Sequence, residues 1–225
     1  FDGKTLDKWD GNPEFWRVED GTITGQTTAE KPTKGNTFII WRGGETADFE
    51  LKLEYKIIGG NSGIQYRSFE VPNEKWVIGG YQADFEAGDT YSGINYGERF
   101  RGILANRGQE TVIGDNHKPT VVKQLGDTKE IQTKIKKEDW NKYRIVANGF
   151  HFQHFINDTP TIDCVDEDTE KRAKGVLALQ LHAGPPMKVQ FRNIKLKQLN
   201  PEGGAAVTPK KSFSRSVSSL SLSPM

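Results

Sequence analysis

The sequence predicts an all-β chain folded as a jelly-roll β-sandwich of two antiparallel sheets, and three observations carry that prediction. Apolar and polar residues alternate with period two along most of the chain, the pattern of half-buried strands. Gly, Asn and Asp clusters punctuate the alternation at the spacing of hairpin turns. The composition agrees: 24 of the 225 residues are Gly and only 34% are hydrophobic, as many strands joined by many turns require.

The elements follow in order. Phe15 to Glu19, Asp20-Gly21 and Thr22 to Gly25 read as strand, turn and strand, with Asp-Gly the hairpin signal. Thr37 to Trp41 reads as a buried strand, and Phe49 to Ile57 alternates with one wet face. Gly59-Gly60-Asn61 turns the chain into Ser62 to Arg67, and Gly80 to Glu86 is the next strand. Gly88 to Thr120 is a long Gly-, Asn- and charge-rich excursion, of the length that functional loops reach. Lys136 to Trp140 carries the one weak helical signal. Lys142 to Ala147, Asn148-Gly149 and Phe150 to Ile156 form a hairpin, and Asn157-Asp158 turns the chain toward Ile162. Gly175 to Ala183 and Lys188 to Leu199 close the domain, residues 1–199. Residues 200–225 change texture to Pro, Gly, Ala and Ser, which predicts a disordered tail or linker.

Charge narrows the function classes. The chain has 31 basic and 30 acidic residues. Setting aside Lys210, Lys211 and Arg215 leaves 28 basic residues in the body. That balance lacks the electrostatic footprint of a nucleic-acid binder. No apolar run approaches the ~20 residues of a membrane span. Cys164 is the only cysteine, so no intrachain disulfide or cysteine-based zinc site exists; its place in an alternating segment assigns it to packing. His151 and His154 fall on opposite faces of one strand, His117 lies in the excursion, and no metal-binding spacing appears.

Candidate functional residues emerge from where alternate side chains point. In Gly175 to Ala183 the leucines at 177, 179 and 181 take the core face, leaving Gln180 and His182 on the other. Tyr81, Ala83 and Phe85 turn inward and Gln82, Asp84 and Glu86 outward. Ile64 and Tyr66 turn inward and Gln65 and Arg67 outward. A solvated antiparallel face also carries a polar row, but such rows favour Lys, Glu and Thr, and these three contain no Lys. If the strands are neighbours, the rows merge into one polar concave patch of acids, amides, an imidazole and a guanidinium. Such a patch suits sugar hydroxyls, with Trp76, Tyr91 and Tyr96 as rings for the apolar sugar face.

Several segments then resemble one family. Phe1-Asp2-Gly3-Lys4-Thr5-Leu6 with Trp9, Asn61 to Arg67, Gly80 to Phe85, Trp140 to Tyr143 with Gly149, Gly175 to His182, and Val189 to Ile194 occur in the order seen in 3-keto-disaccharide hydrolase domains. The third segment departs from the family's usual Gly-Tyr-Glu-Val-Gln: here Gln82 and Asp84 stand where the family has Glu and Gln, so the acid moves one row position. The resemblance implies a concanavalin- or laminarinase-like jelly roll, bacterial and exported to the periplasm or medium. It also implies cleavage of glycosides oxidised at C3, where the ketone acidifies the C2 proton. Asp84, Glu86 or His182 would be acid or base, and Arg67 with Gln65 or Gln180 would stabilise the enolate. No redox cofactor is required, since oxidation occurs elsewhere; a structural Ca²⁺ is compatible with such folds, but no residue marks a site. The alternatives are a non-catalytic carbohydrate-binding module and a structural adhesion-type sandwich.

Overall fold

The computed structural model describes residues 1–199; the tail expected at 200–225 lies outside the described residues. In chain order the strands are β1 (Trp9–Asp10), β2 (Trp16–Glu19), β3 (Thr22–Gln26), β4 (Thr37–Trp41), β5 (Phe49–Ile58), β6 (Asn61–Glu70), β7 (Ile78–Glu86), β8 (Asn95–Glu98), β9 (Gly102–Ala105) and β10 (Gln109–Ile113). They continue as β11 (Pro119–Gln124), β12 (Asn141–Asn148), β13 (His151–Ile156), β14 (Thr159–Asp166), β15 (Val176–Leu181) and β16 (Lys188–Gln198), with one helix, α1 (Thr128–Gln132), before β12.

Two sheets face each other. One has seven strands in the order β1-β4-β15-β6-β7-β8-β9, the other nine in the order β11-β10-β14-β13-β12-β5-β16-β3-β2. The two-sheet antiparallel sandwich is the one the sequence predicts, with one parallel pairing within it, β10 beside β14. The chain leaves the first sheet after β9 and enters the second beside β14, and Gln109↔Ile162 to Ile113↔Asp166 then pair in the same direction. The Gly88–Thr120 excursion is therefore not a loop; it supplies β8, β9, β10 and the start of β11.

The core lies between the sheets, where the alternating apolar residues meet. Leu51, Leu53, Tyr55 and Ile57 from β5 face Ile64 and Tyr66 from β6 and Tyr81, Ala83 and Phe85 from β7. Each large side chain removed from water contributes roughly 1.5–3 kcal/mol. Aromatic rings dominate the contact: Tyr55 and Phe85 have centroids 3.9 Å apart, and Tyr66 stacks on Tyr81 at 5.5 Å. His154 is wholly inside, its Nε2 3.1 Å from the Tyr66 hydroxyl, and burial pushes its pKa down to about 3, so it is neutral. Burial pushes the Cys164 thiol up to about 12, consistent with packing.

The helical expectation was displaced by one segment. Lys136 to Trp140 is a turn in which Glu138 adopts φ 52°. The helix forms at Thr128 because Asp127 caps it, its carboxylate accepting the N–H groups of Lys129 and Glu130 at 2.9 Å.

One bulge decides the site. β6 and β7 pair Tyr66↔Tyr81 and then Phe69↔Gly79, so β6 carries an extra residue there. Arg67 absorbs it at φ 46°, and the strand's facing reverses beyond it.

Candidate functional site

The three polar rows do lie on neighbouring strands, β15, β6 and β7, on the outer face of the seven-stranded sheet. Gln65 stands opposite Gln82 across β6 and β7 and opposite Ala178 on β15. Their side chains form a chain of hydrogen bonds. Ser68 Oγ donates to Gln65 Oε1 at 2.7 Å, and Gln65 Nε2 donates to Gln82 Oε1 at 2.6 Å. Gln82 Nε2 donates to Asp84 Oδ2 at 3.0 Å and lies 3.4 Å from Gln180 Oε1. Asn61 Nδ2 completes it, donating to Asp84 Oδ1 at 2.7 Å. Gly63, opposite Asp84, leaves the space Gln82 fills: a Cβ there would lie 2.4 Å from the Gln82 side chain.

Above this floor opens a cleft of about 430 Å³, lined by Gln82, Asp84, Glu86, Tyr91, Tyr96 and His182, and also by Asn36, Asn61, Ile94, Glu98 and Ile103. Six of the residues read from the sequence thus meet in one place. Burial pushes the Asp84 carboxyl up to about 8, against the hydrogen bonds from Asn61 and Gln82, with Glu86 and Glu98 adding to the rise. His182 Nδ1 is hydrogen-bonded to the Ala183 carbonyl. A carbonyl only accepts, so Nδ1 carries a hydrogen, and in the neutral ring the lone pair is on Nε2. Glu86 Oε1 accepts the backbone N–H groups of Thr90 and Tyr91 at 2.6 and 2.8 Å and so holds the loop that carries Tyr91. Glu98 accepts at 3.3 Å from both Asn36 Nδ2 and Gln180 Nε2.

Four expectations are corrected. Arg67 is not on this face: the bulge turns it inward, fully buried, across the sandwich. There its guanidinium donates to the carbonyls of Ala47 (2.7 Å) and Gly149 (2.6 Å) and to Asp48 Oδ1 (2.9 Å) at the end of the opposite sheet. Gln65 and Gln180 face outward but are fully buried beneath the cleft, not open to solvent. Trp76 is not beside the acids. It packs on a small apolar cluster of Phe38, Ile40, Ile78 and Ala178, its indole N–H donates to Asp10 at 2.8 Å, and it borders a separate depression.

The residues missed have identifiable reasons. Asn36 and Asn61 sit at strand starts, where alternation carries no signal, and Glu98 and Ile103 lie in the segment read as a loop. Among the described residues, one three-residue group has metal-ligand geometry: His117, Asp168 and Glu170. Asp168 there already accepts from His117 at 2.6 Å and faces Arg101 at 3.5 Å, a cation that opposes a metal, and none of the three lines the cleft.

A jelly-roll sandwich with a polar cleft on one sheet is the architecture of a glycosyl hydrolase-like or carbohydrate-binding domain. The chain belongs to the 3-keto-alpha-glucoside-1,2-lyase-like domain family, whose model matches residues 1–197. It is similar in fold to a candidate glycosyl hydrolase from Parabacteroides distasonis at TM-score 0.58 and 20% identity, covering 87% of this chain and 96% of that one. A second from the same organism matches at TM-score 0.55 and 21% identity, covering 88% and 92%. The carbohydrate-binding module CBM66 from Bacillus subtilis matches at TM-score 0.55 and 16% identity, covering 85% and 96%. No curated protein matches the chain.

Proposed function

We propose that the cleft binds a glycoside oxidised to a ketone at C3 and cleaves it by elimination and hydration. The carrying observation is that a buried carboxyl held protonated and an imidazole whose Nδ1 is fixed on a backbone carbonyl line one cleft. His182 Nε2 takes the proton from C2, and the electron pair moves to the C3 carbonyl oxygen as the enolate. When the carbonyl re-forms, the C1–O bond breaks and the aglycone oxygen leaves with the Asp84 proton. Water then adds across C1 and C2 and releases the free 3-keto sugar. Asn36 and Asn61 each have a second amide hydrogen with which to meet the enolate oxygen, the task that Arg67 is too far buried to perform. We place this activity outside the cytoplasm, in the periplasm or the medium, which cell fractionation tests.

A non-catalytic sugar-binding reading is favoured by one observation: Glu86 and the floor glutamines are engaged in internal hydrogen bonds. Incubation with a panel of 3-keto-disaccharides and their unoxidised parents separates the two. Free sugar is expected from the ketones only, and His182→Ala and Asp84→Asn are expected to cut its release about a hundredfold or more. Ketones that bind without being cleaved would leave the binding module.

A further inference from the structure

The outer face of the nine-stranded sheet carries the opposite charge to the cleft. In register, Arg144 on β12 stands opposite Lys52 on β5, and Lys52 stands opposite Lys195 on β16. Three cations therefore form one cross-strand row over three neighbouring strands, an arrangement that costs stability. Glu50 reaches two of them, Lys52 at 3.2 Å and Arg144 at 3.6 Å. Among the described residues Lys195 makes no ion pair.

Lys195 faces outward only because β16 is bulged. Its pairing with β5 shifts between Arg192 and Lys195, and Asn193 takes φ 54° to permit it. Regular alternation from Arg192 would put Ile194 and Leu196 outside and Lys195 inside. The bulge thus turns Ile194 and Leu196 toward the core and at the same time sets a third cation beside two others. The row borders an open groove of about 360 Å³, completed by Lys142, Asn193, Glu54 and Asp158.

We propose that this groove binds an acidic polysaccharide, a hydroxylated chain with repeated carboxylates or sulfates. The cation row meets the anionic groups, and Asp158 and the second Asn193 amide hydrogen, the first being donated to Glu54, meet the hydroxyls between them. Duplex DNA has no free hydroxyls along its backbone for these groups to meet. The nearby rings are also occupied rather than free to stack on bases: Arg192 lies 3.9 Å from the Trp140 ring centroid and Arg144 lies 3.6 Å from that of Phe155. The proposal concerns the face opposite the cleft and does not depend on the cleft's chemistry.

Affinity electrophoresis of the full chain in native gels containing polygalacturonate, dextran or duplex DNA tests it. Retardation by polygalacturonate is expected, with none by dextran and less by DNA, and it should fade as salt rises from about 0.05 to about 0.5 M. The double variant Lys52→Gln with Lys195→Gln should weaken retardation about tenfold. It should not lower Tm, because it removes like-charge repulsion across the strands and leaves Glu50 to pair with Arg144. Absence of retardation by polygalacturonate, equal retardation of the folded variant, or tighter binding to DNA would overturn the proposal.

Discussion

Asp84 and Arg67 are both charged-type residues taken out of water, with opposite consequences. Asp84 has amide partners only, Asn61 and Gln82, and burial raises its pKa to about 8. Unfolded, an aspartate ionises near about 3.9. Between those values the folded chain holds a proton that the unfolded chain releases, so stability is greatest below the lower value and falls as pH rises toward the upper one. Asp84→Asn is therefore expected to flatten this dependence and raise stability at pH 8 by on the order of a few kcal/mol, read from urea midpoints at pH 5 and 8. Turnover of a 3-keto substrate by the native chain should likewise fall above about pH 8, as the acid loses its proton. Arg67 has instead a full set of acceptors, Asp48 among them. Arg67→Met would leave those groups unpaired and is expected to cost about 3–5 kcal/mol. The KM of whatever fraction folds should not change, since the residue does not reach the cleft.

At the scale of elements, the limits of alternation explain what was legible. Period two located every strand from β2 to β7 within a few residues, and it oriented Gln82, Asp84, Glu86 and His182 toward the face where they line the cleft. It failed at Arg67 because a bulge resets the facing with no periodic signature. It also says nothing of depth, so Gln65 and Gln180 looked like cleft residues although they lie beneath it. Glu98 was missed because β8 and β9 are four residues each, too short for alternation to show. The bulge does have a marker in its neighbours. Gly80 takes φ 135°, and a Cβ on it would meet the Cα of Ser68 at 2.7 Å. A Cβ on Gly175 would come within 2.4 Å of the Arg67 carbonyl carbon and 2.3 Å of the Ser68 carbonyl oxygen. These contacts are with backbone and cannot relax by a rotamer change. Gly175→Ala is therefore expected to destabilise the chain by about 1–3 kcal/mol or more, as a shift of the denaturation midpoint at constant m.

For the whole molecule, connectivity shows what must be kept for the sandwich to close. The last described strand, β16, is not at an edge; it lies between β5 and β3 and joins the β2–β3 hairpin to the rest of the nine-stranded sheet. Its Val189 and Phe191 are fully buried in the core. A chain ending at residue 187 would lose both side chains and two strand pairings together. At roughly 1.5–3 kcal/mol per side chain before counting the ladders, that loss approaches the 5–15 kcal/mol of a typical domain. It also leaves the ladder edges of β5 and β3 unpaired. A chain ending at residue 199 keeps β16 whole, and the family match ends two residues earlier. The fragment 1–199 is thus expected to unfold in one cooperative transition, with Tm within about 2 °C of the full chain and the same turnover of a 3-keto substrate. The fragment 1–187 is expected to show no cooperative transition. A lowered Tm for the 1–199 fragment would mean that residues 200–225 contribute contacts to the fold, and the domain would then have to be redrawn to include them.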